Sequence, residues 1–104
     1  MQTDILSQNI KKRFDHAQAK LVLKETYSAK MVFAFNGGMW QADPLLITQC
    51  NLCLANGHFE PVLEDFYGNP VKVDAEELKI LALERWQEQM NAWLVEYNNI
   101  AKQR

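Results

Sequence analysis

Little in this chain of 104 residues is of a kind that would staple, break or anchor it: two cysteines, three prolines and four glycines. Two cysteines in a chain this size do not make the disulfide framework of a small secreted domain. No stretch approaches the ~20 consecutive apolar residues that cross a bilayer. The opening residues, Met-Gln-Thr-Asp, start no signal-peptide apolar core. These absences point to an intracellular protein with no membrane partner. Neither charge sign dominates, with a net charge of −2 and a pI of about 5.6, so bulk electrostatics argue against a nucleic-acid partner. No repeat, low-complexity tract or linker divides the chain, and its length fits one domain, residues 1–104.

What is present is apolar material, 48% of the residues, enough for one core in a chain that buries somewhat under ~70% of its extended surface. The charge is unevenly placed. Residues 1–30 hold six bases (Lys11, Lys12, Arg13, Lys20, Lys24, Lys30) and three acids (Asp4, Asp15, Glu25), whereas residues 31–104 hold five bases and ten acids. The simplest consequence is that the basic N-terminal segment packs beside the acidic C-terminal one. A basic face open to a partner is the alternative.

Five elements can be read from the pattern. A helix over about 4–29 is expected from Leu6, Ile10, Phe14, Ala17 and Leu21, spaced 4, 4, 3 and 4 on one face, with Thr3 or Asp4 as its cap. A hairpin over about 31–41 follows from Met31-Val-Phe-Ala-Phe35, a turn at Asn36-Gly37-Gly38, and the returning Met39-Trp40. A short central helix over about 44–56 starts with Asp43 as cap and Pro44 as first residue and closes at Asn56-Gly57. Its apolar residues point in most directions, which predicts a buried helix. A second hairpin over about 59–73 turns at Tyr67-Gly68-Asn69-Pro70. A long helix over about 75–102 begins at Asp74-Ala-Glu-Glu77 and carries the stripe Leu78, Ala82, Trp86, Met90, Trp93, Tyr97, Ile100. The expected class is α+β, with an N-terminal, a short buried central and a long C-terminal helix around two short β-hairpins forming a small antiparallel sheet.

Reactive chemistry finds little support in these residues. Cys50-Asn-Leu-Cys53 has the spacing of a zinc or thiol motif. Zinc needs two more ligands, and His58 and the distant His16 are the only histidines. Both cysteines fall mid-helix among leucines, where a thiol behaves as a small hydrophobe. Asn36-Gly37-Gly38 lacks the glycine spacing and the Lys-Ser/Thr of a phosphate loop. Glu60, Glu64 and Asp65 lack a second carboxylate set across a cleft. The expectation is therefore a non-enzyme without a cofactor. Lys11-Lys12-Arg13 is shorter than a nucleic-acid patch and lacks interleaved aromatics. The rings are more suggestive, since Trp and Tyr are enriched at binding hot spots. Trp40, Tyr67, Trp86, Trp93 and Tyr97 are the aromatic candidates for partner contact, with Lys11, Lys12 and Arg13 as a basic candidate.

The order of these features resembles a domain of tailed bacteriophages that lies in tail-fibre, tail-assembly or baseplate-associated proteins. The resemblance rests on Ile10-Lys-Lys-Arg13, on Phe33-Ala-Phe-Asn-Gly-Gly-Met-Trp-Gln-Ala-Asp43, on Gln49 and Asn51, on Asp65-Phe-Tyr-Gly-Asn-Pro-Val-Lys-Val-Asp-Ala-Glu-Glu-Leu78 and on Trp86 in a long helix. It covers roughly residues 8–102 and carries no catalytic residues. It implies a tail-associated structural or assembly protein, in the virion or the host cytoplasm, whose partner is a tail-fibre or baseplate component, with room for a homo-oligomer. A small inhibitor that binds a host defence or regulatory protein is the alternative, and a CxxC zinc or thiol protein built on Cys50, Cys53 and His58 is the second.

Overall fold

The computed structural model describes the backbone of residues 2–102 and the side chains of residues 8–102. Its order is α1 (Gln2–Lys30), β1 (Val32–Phe35), β2 (Gly38–Gln41), α2 (Pro44–Ala55), β3 (Val62–Glu64), β4 (Pro70–Lys72) and α3 (Ala75–Lys102). The α+β class holds. The hairpins are two separate antiparallel two-stranded sheets rather than one.

Local chemistry explains most element boundaries. In the β1–β2 hairpin Phe33 faces Trp40 and Phe35 faces Gly38. Its two-residue turn puts Asn36 at φ 53 and Gly37 at φ 84, the left-handed pair that matches strand twist in a tight hairpin. Asp43 accepts from the Leu46 amide at 2.8 Å and caps α2. At the other end His58 N–H donates to Cys53 O at 2.8 Å, with Gly57 at φ 79, a Schellman-type closure. Asp74 accepts from the Glu76 and Glu77 amides and caps α3. Helix α1 starts at Gln2, ahead of Thr3 and Asp4; the side chains of Thr3, Asp4 and Leu6 lie outside those described.

The sheets meet through Asp65. Its carboxylate accepts from the amides of Tyr67 (3.0 Å) and Asn69 (2.8 Å) in its own turn and from Met39 (3.2 Å) on β2. Phe66 N–H donates to Met39 O at 2.6 Å, and Asn36 Nδ2 donates to Lys72 O at 2.7 Å. Gly38 sits in this junction, where a Cβ would come within 3.2 Å of Trp40 Nε1 and 3.3 Å of Asp65.

The core of this head region gathers Met31, Phe33, Trp40, Ala42, Leu46, Cys50, Val73, Leu78 and Ala82. Helix α2 is not the buried helix expected. Leu46 and Cys50 face inward, but Leu45 and Leu52 are exposed, because α2 lies on the outside of α3 rather than between other elements.

Beyond the head, α1 and α3 form an antiparallel arm. Lys30 O accepts from Arg85, Tyr27 reaches Glu96, and Lys20 lies over Tyr97. Moving back along α1 thus means moving forward along α3. The result is a body of 68 × 24 × 21 Å with a radius of gyration of 19.4 Å, against about 13 Å for a compact chain of this length.

Candidate interaction surface

The arm is built on one side of α1 and leaves another side open. His16, Lys20, Leu23 and Tyr27 recur at spacings of 4, 3 and 4 and are the half-buried or buried side chains among those described in that helix. Ile10, Phe14, Ala17 and Leu21 have the same kind of spacing but lie about 120° round the helix at ~100° per residue. This second seam, the one apolar face read from the sequence, is exposed: Phe14 keeps 67% of its surface and Ile10 64%. Every side chain from residue 8 to residue 15 is exposed. The sequence offered two stripes, and α3 packs on the less apolar one, because Tyr27 and Lys20 can satisfy their polar ends there. Tyr27 OH donates to Glu96 Oε1 at 2.5 Å, and the Lys20 ammonium sits 5.5 Å from the Tyr97 ring centre.

On α3 the expected stripe holds. Leu78 and Ala82 are buried, and Trp86, Met90, Trp93 and Ile100 are half-buried. Toward the far end Met90, Trp93, Leu94 and Tyr97 line an open, almost wholly apolar hollow of about 200 Å³. Tyr97 and Leu94 are exposed, so of the aromatic candidates Trp93 and Tyr97 come together at one place and Trp86 lies nearer the head. Tyr67 is also exposed, on the β3–β4 turn against Phe66, with ring centres 5.5 Å apart.

Trp40 is a correction. It is 1% exposed and belongs to the core, not to a contact surface. Gly38, Trp40 and Ala42 all point inward along β2, and the indole N–H is satisfied by Phe35 O at 2.9 Å.

Lys11, Lys12 and Arg13 are exposed on α1, remote from the Asp65 and Cys50 regions. The basic segment does pack beside the acidic one, though not through ion pairs: among the described residues the one salt bridge is Lys72–Glu60, at 3.7 Å on the surface.

Cys50 is fully buried, and its thiol is pushed up to about 11, first by burial and then by Cys53 nearby. A thiol so protonated at neutral pH is a poor nucleophile and ligand. Cys53 is half-buried and His58 is exposed. Among the described residues no three His, Cys, Asp or Glu side chains come together as a ligand set. The Asp65 carboxyl is held below the usual carboxylate range, chiefly by the Asn69 amide and also by those of Met39 and Tyr67; it fastens the hairpins.

Sequence reasoning missed the open seam of α1. The signal that could have found it is its flank, where Arg13, Lys20 and Lys24 stand three or four residues from seam positions, an arrangement poorly suited to a core. Among the described residues no helix is long and apolar enough to cross a membrane. No family model, curated protein or solved structure matches the chain.

Proposed function

We propose that the protein is a non-enzymatic binding protein, a tail-associated structural or assembly factor of a tailed bacteriophage, that works by contact with another protein. The observation that carries the binding reading is the arm. With it the whole chain exposes 7591 Å², against about 6,000 Å² for a globular monomer of this mass. The difference is about twice what one partner contributes to a standard protein interface. The arm's open side chains include the apolar and aromatic Ile10, Phe14, Leu21, Leu94 and Tyr97, the kinds that anchor interfaces. The sequence resemblance is what directs the reading to phage tails.

A second reading is favoured by the exposed Lys11-Lys12-Arg13 run, which suits an acidic surface on a host protein. Both readings are tested together by mass spectrometry of purified particles and by affinity purification from infected cells. Presence in particles, or copurification with a tail-fibre or baseplate protein, supports the first. Absence from particles with a stoichiometric host protein supports the second. Recovery of neither overturns both.

A further inference from the structure

Resting on the reading of this chain as a binding protein, we propose that the open seam of α1 docks one amphipathic helix with acidic edges, supplied by a different protein. The seam supplies Ile10, Phe14 and Leu21 as anchors, with Ala17 as a gap between them, at spacings of 4, 3 and 4. That spacing is what a second helix reads when it lies along the first. The small Ala17 leaves room for a large side chain of the incoming helix.

Charge names the partner's edges. Arg13 stands three residues after Ile10 and Lys24 three after Leu21, so both line one flank of the seam, while Lys20 packs over Tyr97. Lys11, three before Phe14, lies on the other flank. Glu25, four after Leu21, is the acid at the edge. A helix that covers this seam meets mostly cations, and acids at its edges would neutralise them and speed encounter.

Two other occupants fit less well. In a second copy, seam-to-seam contact sets Arg13 and Lys24 against the same pair. Of the exposed apolar residues of α3 beyond its first turns, Leu83, Leu94 and Tyr97 are flanked by Gln87, Asn91 and Asn98, and Val95 alone lies in line with acids, Glu84 and Glu88. Those two acids stand about 80–180° round the helix from Leu83, Leu94 and Tyr97, so a single valine is what they edge. Ile80, exposed among Glu76, Glu77 and Glu84, is one anchor rather than a seam. A membrane surface wants a broad apolar face, and this seam is one residue wide.

The test uses the full chain and a synthetic helical peptide of about 21 residues with leucine at heptad core positions and glutamate at the edges. A matched peptide carries lysine at those edges. Titration calorimetry is expected to show the glutamate peptide binding at least ~10-fold more tightly than the lysine peptide. Phe14→Ser with Leu21→Ser should weaken binding at least ~10-fold, and Arg13→Glu with Lys24→Glu should reverse the preference between peptides. All four positions are exposed, so circular dichroism of the variants should match the parent. Equal binding of both peptides, or no binding of either, overturns the proposal. So does a dimer in sedimentation velocity that Phe14→Ser dissociates, or attachment to phosphatidylglycerol vesicles without peptide binding. The same seam variants in the particle and pull-down assays keep the two ideas apart. If the partner is still recovered, the docking site falls while the binding function stands. If the parent protein recovers no partner but selects the glutamate peptide, the reverse holds.

Discussion

Tyr27 and Glu96 join the two helices of the arm through one hydrogen bond, phenol to carboxylate at 2.5 Å. The partners are 69 positions apart in sequence, and the bond fixes which side of α1 faces α3. Lys30, 4.7 Å from the centre of the Tyr27 ring, covers the outer face of that ring. The Tyr27 phenol is raised above its ordinary value, first by its hydrogen bond to Glu96, then by burial and by the charge of Glu96.

Alkaline pH should therefore open the arm. A group that binds its proton more tightly when folded contributes stability below its unfolded pKa, near 10 for tyrosine, and loses it as pH rises through the folded value. Tyr27 should ionise above the ordinary tyrosine range in an ultraviolet titration. In Glu96→Gln its titration should move down toward the ordinary tyrosine range. An unchanged titration would show that the bond does not persist in solution.

Acid should act on the head through Asp65, in the opposite sense. Its folded pKa is depressed by three backbone amides. Its contribution is thus complete above the unfolded pKa, about 4, and is lost as pH falls through the folded one. Asp65→Asn can keep the Tyr67 and Asn69 bonds through its carbonyl but turns an amide donor toward Met39 N–H. The Met39 amide should exchange faster with deuterium, and the acid transition of the parent should be blunted in the variant.

These two bonds mark what the sequence discloses and what it hides. Asp43-Pro44, Asn36-Gly37, Asn56-Gly57 and Asp74 each fix a cap or turn through chemistry confined to a few neighbouring residues, so those boundaries were readable. Which helix face is buried is settled by a partner helix some seventy positions away. The more apolar stripe of α1 lost to one whose tyrosine and lysine find partners on α3. Trp40 was misassigned because ring size suggests an interface as readily as a core. Its alternation with Gly38 and Ala42 along β2 is the clue that places it inside. Helix α2 was expected inside because its apolar residues point several ways, yet Leu45 and Leu52 remain in water.

The thiols should differ sharply in reactivity. Cys50 is buried with its pKa pushed up to about 11, while Cys53 is half-buried. At pH 8 a disulfide reagent should label Cys53 first and reach Cys50 only when the head unfolds. Cys50→Ser places a hydroxyl where the thiol was and should cost about 1–3 kcal/mol in denaturant unfolding. Rapid labelling of Cys50 in the native protein would contradict the packing of α2 on α3.

The head should depend on Trp40 more than on any exposed ring. Its removal as Trp40→Ala takes out a fully buried side chain and its bond to Phe35 O, for an expected loss of about 3–5 kcal/mol. Tyr67→Ala, on the exposed turn, should change stability by less than about 0.5 kcal/mol.

The two stripes of α1 can be separated by paired substitutions on the same helix. Leu23→Ala removes a side chain buried against α3 and should cost about 2–4 kcal/mol. Phe14→Ala, on the open seam, should leave stability within about 0.5 kcal/mol of the parent, even though phenylalanine is the larger residue. Urea unfolding followed by tryptophan fluorescence measures both, since Trp93 lies in the arm and Trp40 in the head. A reversed order, with Phe14→Ala the more damaging, would mean that the seam is covered in solution, by a second copy or by a different docking of α3. Equal and small effects would mean that the arm contributes little to the cooperative unit and that the head folds without it.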